Sequence, residues 1–176
     1  MIITKDKYLK EVEIVPIPDK FQINTCAMDL RIGKETYYPD TKKSLSLIDI
    51  DILNINPNEH FLIQSLENIT LPSDIMAVVY PRSSTNRRGV TVDLTGIVDP
   101  GYSGHLMIPV SNLTNKTIEF LPGERIAQIV FQRVENPTEA RESKYQNSGM
   151  EAKPDKQEEL ELLKSGKLFT DKLKEL

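Results

Sequence analysis

From residue 12 to residue 134 the chain alternates short apolar runs with clusters of turn-forming residues. Phe61-Leu62-Ile63, Ile75-Met76-Ala77-Val78-Val79-Tyr80, Gly104-His105-Leu106-Met107-Ile108 and Ile126-Ala127-Gln128-Ile129-Val130-Phe131 are such runs. Between them stand Asn56-Pro57-Asn58, Leu71-Pro72-Ser73-Asp74, Asp99-Pro100-Gly101 and Leu121-Pro122-Gly123-Glu124. Runs too short for helices, bounded by Gly, Pro, Asn and Asp, predict an all-β sandwich or barrel. Gly101 and Gly123 are placed to supply the positive φ of tight turns. Pro109 falls inside the run Leu106–Asn112. It has no backbone donor, so it predicts an edge, a bulge or a strand end at that point.

The pattern changes after residue 136. Residues 137–153 carry few large apolar groups and predict a mobile arm. Pro154-Asp155 can open a helix with Asp155 as its cap. Leu160, Leu163, Leu168, Phe169, Leu173 and Leu176 then recur at roughly helical spacing, and Gly166 divides the stretch into two short helices. Helices this short are marginal in water on their own. The tail is therefore expected to dock, as a clamp between copies or on a protein partner. The expected organisation is a β-domain over 1–136, an arm over 137–153 and a helical tail over 154–176.

Composition narrows the function. With 176 residues and 39% hydrophobic content, one domain with a real core is affordable. A net charge of -4 speaks against nucleic acid as a partner but leaves room for a local basic pocket. No apolar run nears the roughly 18–20 residues of a membrane span. The start Met1-Ile2-Ile3-Thr4-Lys5-Asp6 lacks the order of a signal peptide. A single cysteine, Cys26, fits a reducing, cytoplasmic setting. With only His60, His105 and Cys26, the soft-ligand cluster of a zinc deaminase is lacking.

Four segments carry candidate chemistry. Arg82-Ser83-Ser84-Thr85-Asn86-Arg87-Arg88 packs three arginines and two serines into seven positions, the donor types that bind phosphate. On residues alone, a polar turn carrying surface charge is the other reading. Asp99 before Pro100-Gly101 suits a rigidly held general base, or an ordinary turn former. Tyr102 suits stacking on a sugar or base, or packing. Asp29 in Ala27-Met28-Asp29-Leu30-Arg31 suits a metal's outer sphere, or a structural pair with Arg31. Gln128 lies in Pro122-Gly123-Glu124-Arg125-Ile126-Ala127-Gln128 and suits phosphate contact, or solvent.

In order and spacing these four segments, over roughly residues 20–148, resemble the dUTPase and dCTP deaminase superfamily. Asp29-Leu30-Arg31 is similar to its first motif, Pro81-Arg82-Ser83-Ser84 to its second, Gly96–Gly104 to its third and Gly123–Gln128 to its fourth. Ser65–Pro72 resembles its deaminase branch. The resemblance implies a distorted β-barrel or jelly-roll of dUTPase type, here with a short helical tail. It implies that Asp99 activates a water that attacks an α-phosphorus. Arg82, Ser83, Ser84, Arg87, Gln128 and Lys144 would meet phosphate. Asp93, Gly96, Ile97, Val98 and Tyr102 would meet base and sugar. Asp29 and Gln128 would reach a Mg²⁺ ion through water, and a homotrimer is implied.

The deaminases of this superfamily use a glutamate that should stand three residues before Asn112. Pro109 stands there, so the leading expectation is a Mg²⁺-dependent dUTP diphosphatase giving dUMP and pyrophosphate. Asp93 pulls the other way. It stands about where dUTPases carry Asn, and a carboxylate that only accepts suits cytosine's amine better than a uracil carbonyl. Ser143-Lys144-Tyr145-Gln146-Asn147-Ser148-Gly149 is similar to the deaminase arm, and the glycine-rich fifth motif of dUTPases is missing. The alternatives are a dCTP-cleaving or dCTP deaminase-like enzyme, or a nucleotide-sensing module without catalysis.

Overall fold

The computed structural model describes residues 1–93, 96–136, 145, 146, 161, 164 and 165. A short helix α1 (Lys5–Glu11) comes first. The strands are β1 (Glu13–Val15), β2 (Met28–Tyr38), β3 (Lys43–Ser46), β4 (Leu53–Ile55), β5 (His60–Thr70) and β6 (Ile75–Pro81). A five-residue helix α2 (Ser83–Arg87) follows, then β7 (Val90–Val92), β8 (Ile97–Val98), β9 (Ser103–Asn112), β10 (Ile118–Phe120) and β11 (Arg125–Arg133). The all-β expectation holds. One antiparallel sheet runs β7-β9-β5-β2-β11-β6-β8, with β1 on β5 and β3 on β2, and β10 pairs β4 in a small second sheet.

The four apolar runs read from the sequence became β5, β6, β9 and β11. In β5 and β9 burial alternates residue by residue, the mark of a sheet with one face on a core. Phe61, Ile63 and Ile69 of β5 and Leu106, Ile108 and Val110 of β9 point inward. They meet Leu30 and Ile32 of β2 and Ile126, Ile129 and Phe131 of β11 in one continuous core. The opposite face of β5 and β9 is half-buried.

The turn residues act as their chemistry requires. Gly101 has φ 79° and Gly123 has φ 81°, a region that side chains disfavour. Pro109 lies within β9 and pairs Leu62 of β5 on one side. On the other side its carbonyl accepts from the Asp93 N–H at 3.0 Å, one residue past the end of β7. The missing donor therefore falls where the β7 ladder stops, so Pro109 is accommodated inside β9 and not at an edge or at the end of its own strand.

Helix α1 was not foreseen. It is two turns long and buries one side chain, Tyr8. That ring meets Phe131 at 5.2 Å, its hydroxyl donates to the carbonyls of Asn24 and Ala27, and burial pushes the phenol up to about 12. Most of the arm and the tail, including Lys144 and Gly166, lies outside the described residues. Within it, the Ser165 N–H donates to the Glu161 carbonyl at 3.0 Å, a helical turn. Among the described residues no helix is long and apolar enough to cross a membrane.

Candidate active site

Asp29 pairs with Gln128 across β2 and β11, and its carboxylate is buried beneath four donors. Arg82 Nε lies 3.0 Å and Arg125 Nη1 3.2 Å from Oδ2. Gln128 Nε2 donates to Oδ1 at 2.9 Å, and Asn24 Nδ2 at 3.3 Å. Arg82 also donates to the Arg125 carbonyl at 2.9 Å, and the Thr85 hydroxyl to that of Ile126 at 3.0 Å. These bonds fasten the start of α2 to β11. The pairing of Asp29 with Arg31 does not occur. Arg31 turns to Asp19 at 2.6 Å and to the Gly123 carbonyl at 2.7 Å.

This donor set does not fit a metal. A hard cation needs oxygen ligands with free lone pairs, whereas both Asp29 oxygens already accept from cations and amides. Gln128 turns its amide nitrogen, not its oxygen, toward the carboxylate. Asp29 therefore acts as a clamp that holds Arg82, Arg125 and Gln128 in place.

Beyond that clamp, Ser83, Ser84 and Arg87 are exposed on α2, free to meet an anion from outside. Arg88 is committed to structure. It pairs with Glu124 at 2.6 Å, donates to the Glu119 carbonyl and lies 3.8 Å over the Phe120 ring.

The Asp99 turn sits elsewhere. Val98 pairs Ala77 near the start of β6, while α2 begins just past its end at Pro81. A seven-residue strand spans roughly 20 Å, so one chain does not bring Asp99 and Ser83 together. The turn is held by the Tyr102 N–H on the Asp99 carbonyl at 3.2 Å and the Gly101 N–H on the Pro72 carbonyl at 3.3 Å. The Asp99 side chain is exposed, and among the described residues it has no partner. Gln146 of the arm donates to the Gly101 carbonyl at 3.0 Å, so this part of the arm meets the turn of its own chain.

The other expected base and sugar residues divide. Ile97 is 65% exposed, whereas Val98 is buried and offers a ligand only its backbone. Gly96 has φ 87°, which lets the chain turn toward β8. The Tyr102 ring packs on the core and its hydroxyl donates to the His105 carbonyl at 2.8 Å, leaving it half-buried with its phenol raised by burial. Asp93 is exposed on one side and near His60 and Ser111 on the other. Asn24, Arg125, His60, Ser111 and Gln146 were not singled out from sequence. Strand register brings Arg125, His60 and Ser111 to their carboxylates, whereas Asn24 reaches Asp29 from the segment just before β2.

A family model described as dCTP deaminase-like matches residues 3–134. The chain belongs to the dCTP deaminase-like family. Among its relatives is a "dCTP deaminase, dUMP-forming" of Methanosphaera stadtmanae, 33% identical over 165 residues and covering 79% of this chain and 84% of the relative. A "dCTP deaminase" of Pyrococcus horikoshii is 36% identical over 140 residues, 78% of this chain and 85% of the relative. In structure the chain is similar to the dCTP deaminase of Agrobacterium tumefaciens, with TM-score 0.63 and 21% identity over 76% of this chain but only 46% of that one. It is also similar to the EIAV dUTPase, with TM-score 0.51 and 18% identity over 76% of this chain and 96% of that one. These two likenesses establish a shared fold. As a dCTP deaminase-like chain it is a nucleotide-processing enzyme, and the family favours the dCTP alternative over the leading dUTP diphosphatase expectation.

Proposed function

We propose that this enzyme converts dCTP to dUMP, releasing ammonia and pyrophosphate. The observation that carries the reading is the exposed Asp93 carboxylate, an acceptor-only group beside Pro109 in a chain of the dCTP deaminase-like family. Cytosine presents an amine where uracil presents a carbonyl, so an acceptor selects cytosine. The "dUMP-forming" names of relatives support the same product.

The phosphate step rests on Asp99. An exposed carboxylate without a partner among the described residues is suited to take a proton from water as it attacks the α-phosphorus. Ser83, Ser84 and Arg87 would steady the charge on the departing pyrophosphate, with Gln128 beside them. Lys144 is expected to join from the arm. Mg²⁺ is proposed to arrive on the triphosphate oxygens with its own waters, not on ligands of this chain. The roughly 20 Å between Asp99 and Ser83 in one chain supports a homotrimer in which a neighbouring copy supplies α2. Light scattering on the eluted protein should give three times the chain mass.

A second reading is a dUTP diphosphatase, favoured by one observation, Pro109 at the position where the deaminases of the superfamily carry glutamate. Incubation with each deoxynucleoside triphosphate, with ammonia and nucleotide products resolved, separates the two. Ammonia and dUMP from dCTP support the first reading. Cleavage confined to dUTP, without ammonia from dCTP, supports the second. No product from any substrate would leave a binding module.

A further inference from the structure

A cluster of titratable and hydroxyl side chains lies apart from the Asp99 turn, on the outer face of the sheet. The register Val92↔Val110 sets Asp93 opposite Pro109, and on the other side of β9 Leu62 pairs Pro109 while His60 pairs Ser111. Period-two alternation puts these side chains on one face. Ser111 Oγ lies 2.8 Å from His60 Nδ1 and 3.2 Å from Asp93 Oδ2, and His60 Nδ1 is 3.7 Å from the same oxygen.

The hydrogen positions follow from the inventory of donors. A carboxylate only accepts, so the Ser111 hydroxyl spends its one proton on Asp93. It must then accept from His60, which puts a proton on Nδ1 and turns Nε2 outward. Among the described residues Asp93 Oδ1 has no partner. The Asp93 and His60 side chains are 46% and 49% exposed, so the cluster is open to a ligand. Pro109 and Leu62, both half-buried, form an apolar shelf beside it on which a flat ring can lie.

We propose that Asp93 is the proton carrier for removal of the cytosine amine, with Ser111 and His60 as positioning residues that aim its carboxylate. This rests on dCTP being the substrate. Water bonds through oxygen to the ring carbon bearing the amine, while Asp93 passes one of its protons to the adjacent ring nitrogen. The remaining hydroxyl proton then travels through Asp93 to the amine. The carbon–nitrogen bond breaks, ammonia leaves and a carbonyl forms. One water is consumed and the carboxylate is regenerated. A proline at position 109 is then compatible with deamination, because the carboxylate comes from the strand end facing it.

The test measures ammonia and pyrophosphate together at saturating dCTP, using the full-length assembled protein. In Asp93→Asn the ratio of ammonia to pyrophosphate should fall by about 100-fold, the scale of a lost general acid–base group, and Asp93→Glu should recover part of it. Ser111→Ala should lower the kcat of ammonia release about tenfold, less than the loss of an acid–base group itself because Ser111 acts through Asp93, with the KM for dCTP unchanged. An unchanged ratio in Asp93→Asn overturns the proposal. If the unaltered enzyme makes no ammonia from dCTP, the dCTP reading itself fails. Circular dichroism of each variant guards against misfolding, and Asp93→Ala serves as a second carboxylate-free variant with the same expected ratio.

Discussion

Asp29 and Asp93 are the same residue type under opposite conditions. Asp29 is buried in the sheet, and two guanidinium groups and two amides saturate its oxygens. Asp93 is half exposed at a strand end, with one oxygen bonded to Ser111 and the other without a partner among the described residues. Asp99 shares that openness. A carboxylate whose lone pairs are all used holds structure together, whereas one with a lone pair to spare can take a proton. Burial and saturation, more than residue type, separate a carboxylate that clamps structure from one left open in this fold.

The largest effect expected from the contrast is on turnover. Asp99→Asn keeps the shape of the turn but removes the proposed base, so pyrophosphate release should fall about 10²–10⁴-fold with the urea midpoint unchanged. A loss of folding instead would make Asp99 a turn former and dissolve the contrast. Asp29→Ala should act on stability first. It strands Arg82 and Arg125 without their counter-charge and should cost about 3 kcal/mol in urea unfolding, the low end for breaking a buried pair because Arg125 is over a third exposed. Wild-type stability in that variant would return Asp29 to the list of substrate or metal contacts.

Glu67 extends the comparison to pH. It is fully buried, accepts from Gln22 Nε2 at 2.6 Å and from the Arg31 N–H at 3.1 Å, and its pKa is raised by desolvation. The folded chain therefore holds this proton more tightly than the unfolded chain. The stability so contributed is complete below the ordinary glutamate value of about 4.3 and is lost as pH rises through the raised folded value. Unfolding of the protein and of Glu67→Gln at pH 4 and pH 7 should show the wild type losing ground at the higher pH. A parallel pH response of the two would remove Glu67 as the cause. The smallest effect belongs to Tyr102. Tyr102→Phe deletes the bond to the His105 carbonyl and should cost about 1 kcal/mol. A large drop in affinity for nucleotide in that variant would move Tyr102 from packing to binding.

Much of the fold was legible because β5, β6, β9 and β11 carry their own apolar runs and end in turn chemistry. Pro109 pointed to an edge, a bulge or a strand end, yet it lies inside β9, and what ends opposite it is the neighbouring strand β7. Helix α1 was not legible, since one buried side chain in two turns sets up no periodicity. The site was legible only in part. The order of the segments around Asp29, Arg82, Asp99 and Gln128 pointed to nucleotide chemistry. The saturation of Asp29 by Arg125 and Gln128 depends on partners 96 and 99 residues away, which only the β2–β11 register brings together. The meeting of Asp93 with His60 and Ser111 is likewise a property of the β7–β9–β5 register and of no local pattern. The separation of Asp99 from Ser83 along β6 could not be seen without knowing which strand carries each.

Turnover of dCTP in ¹⁸O-enriched water, with the products weighed by mass spectrometry, tests the central claim most directly. Attack at the α-phosphorus together with water addition to the base predicts dUMP with one heavy oxygen on its phosphate and one on its ring, and pyrophosphate with none. Heavy oxygen in pyrophosphate, or a nucleotide product that keeps its amine, would contradict it.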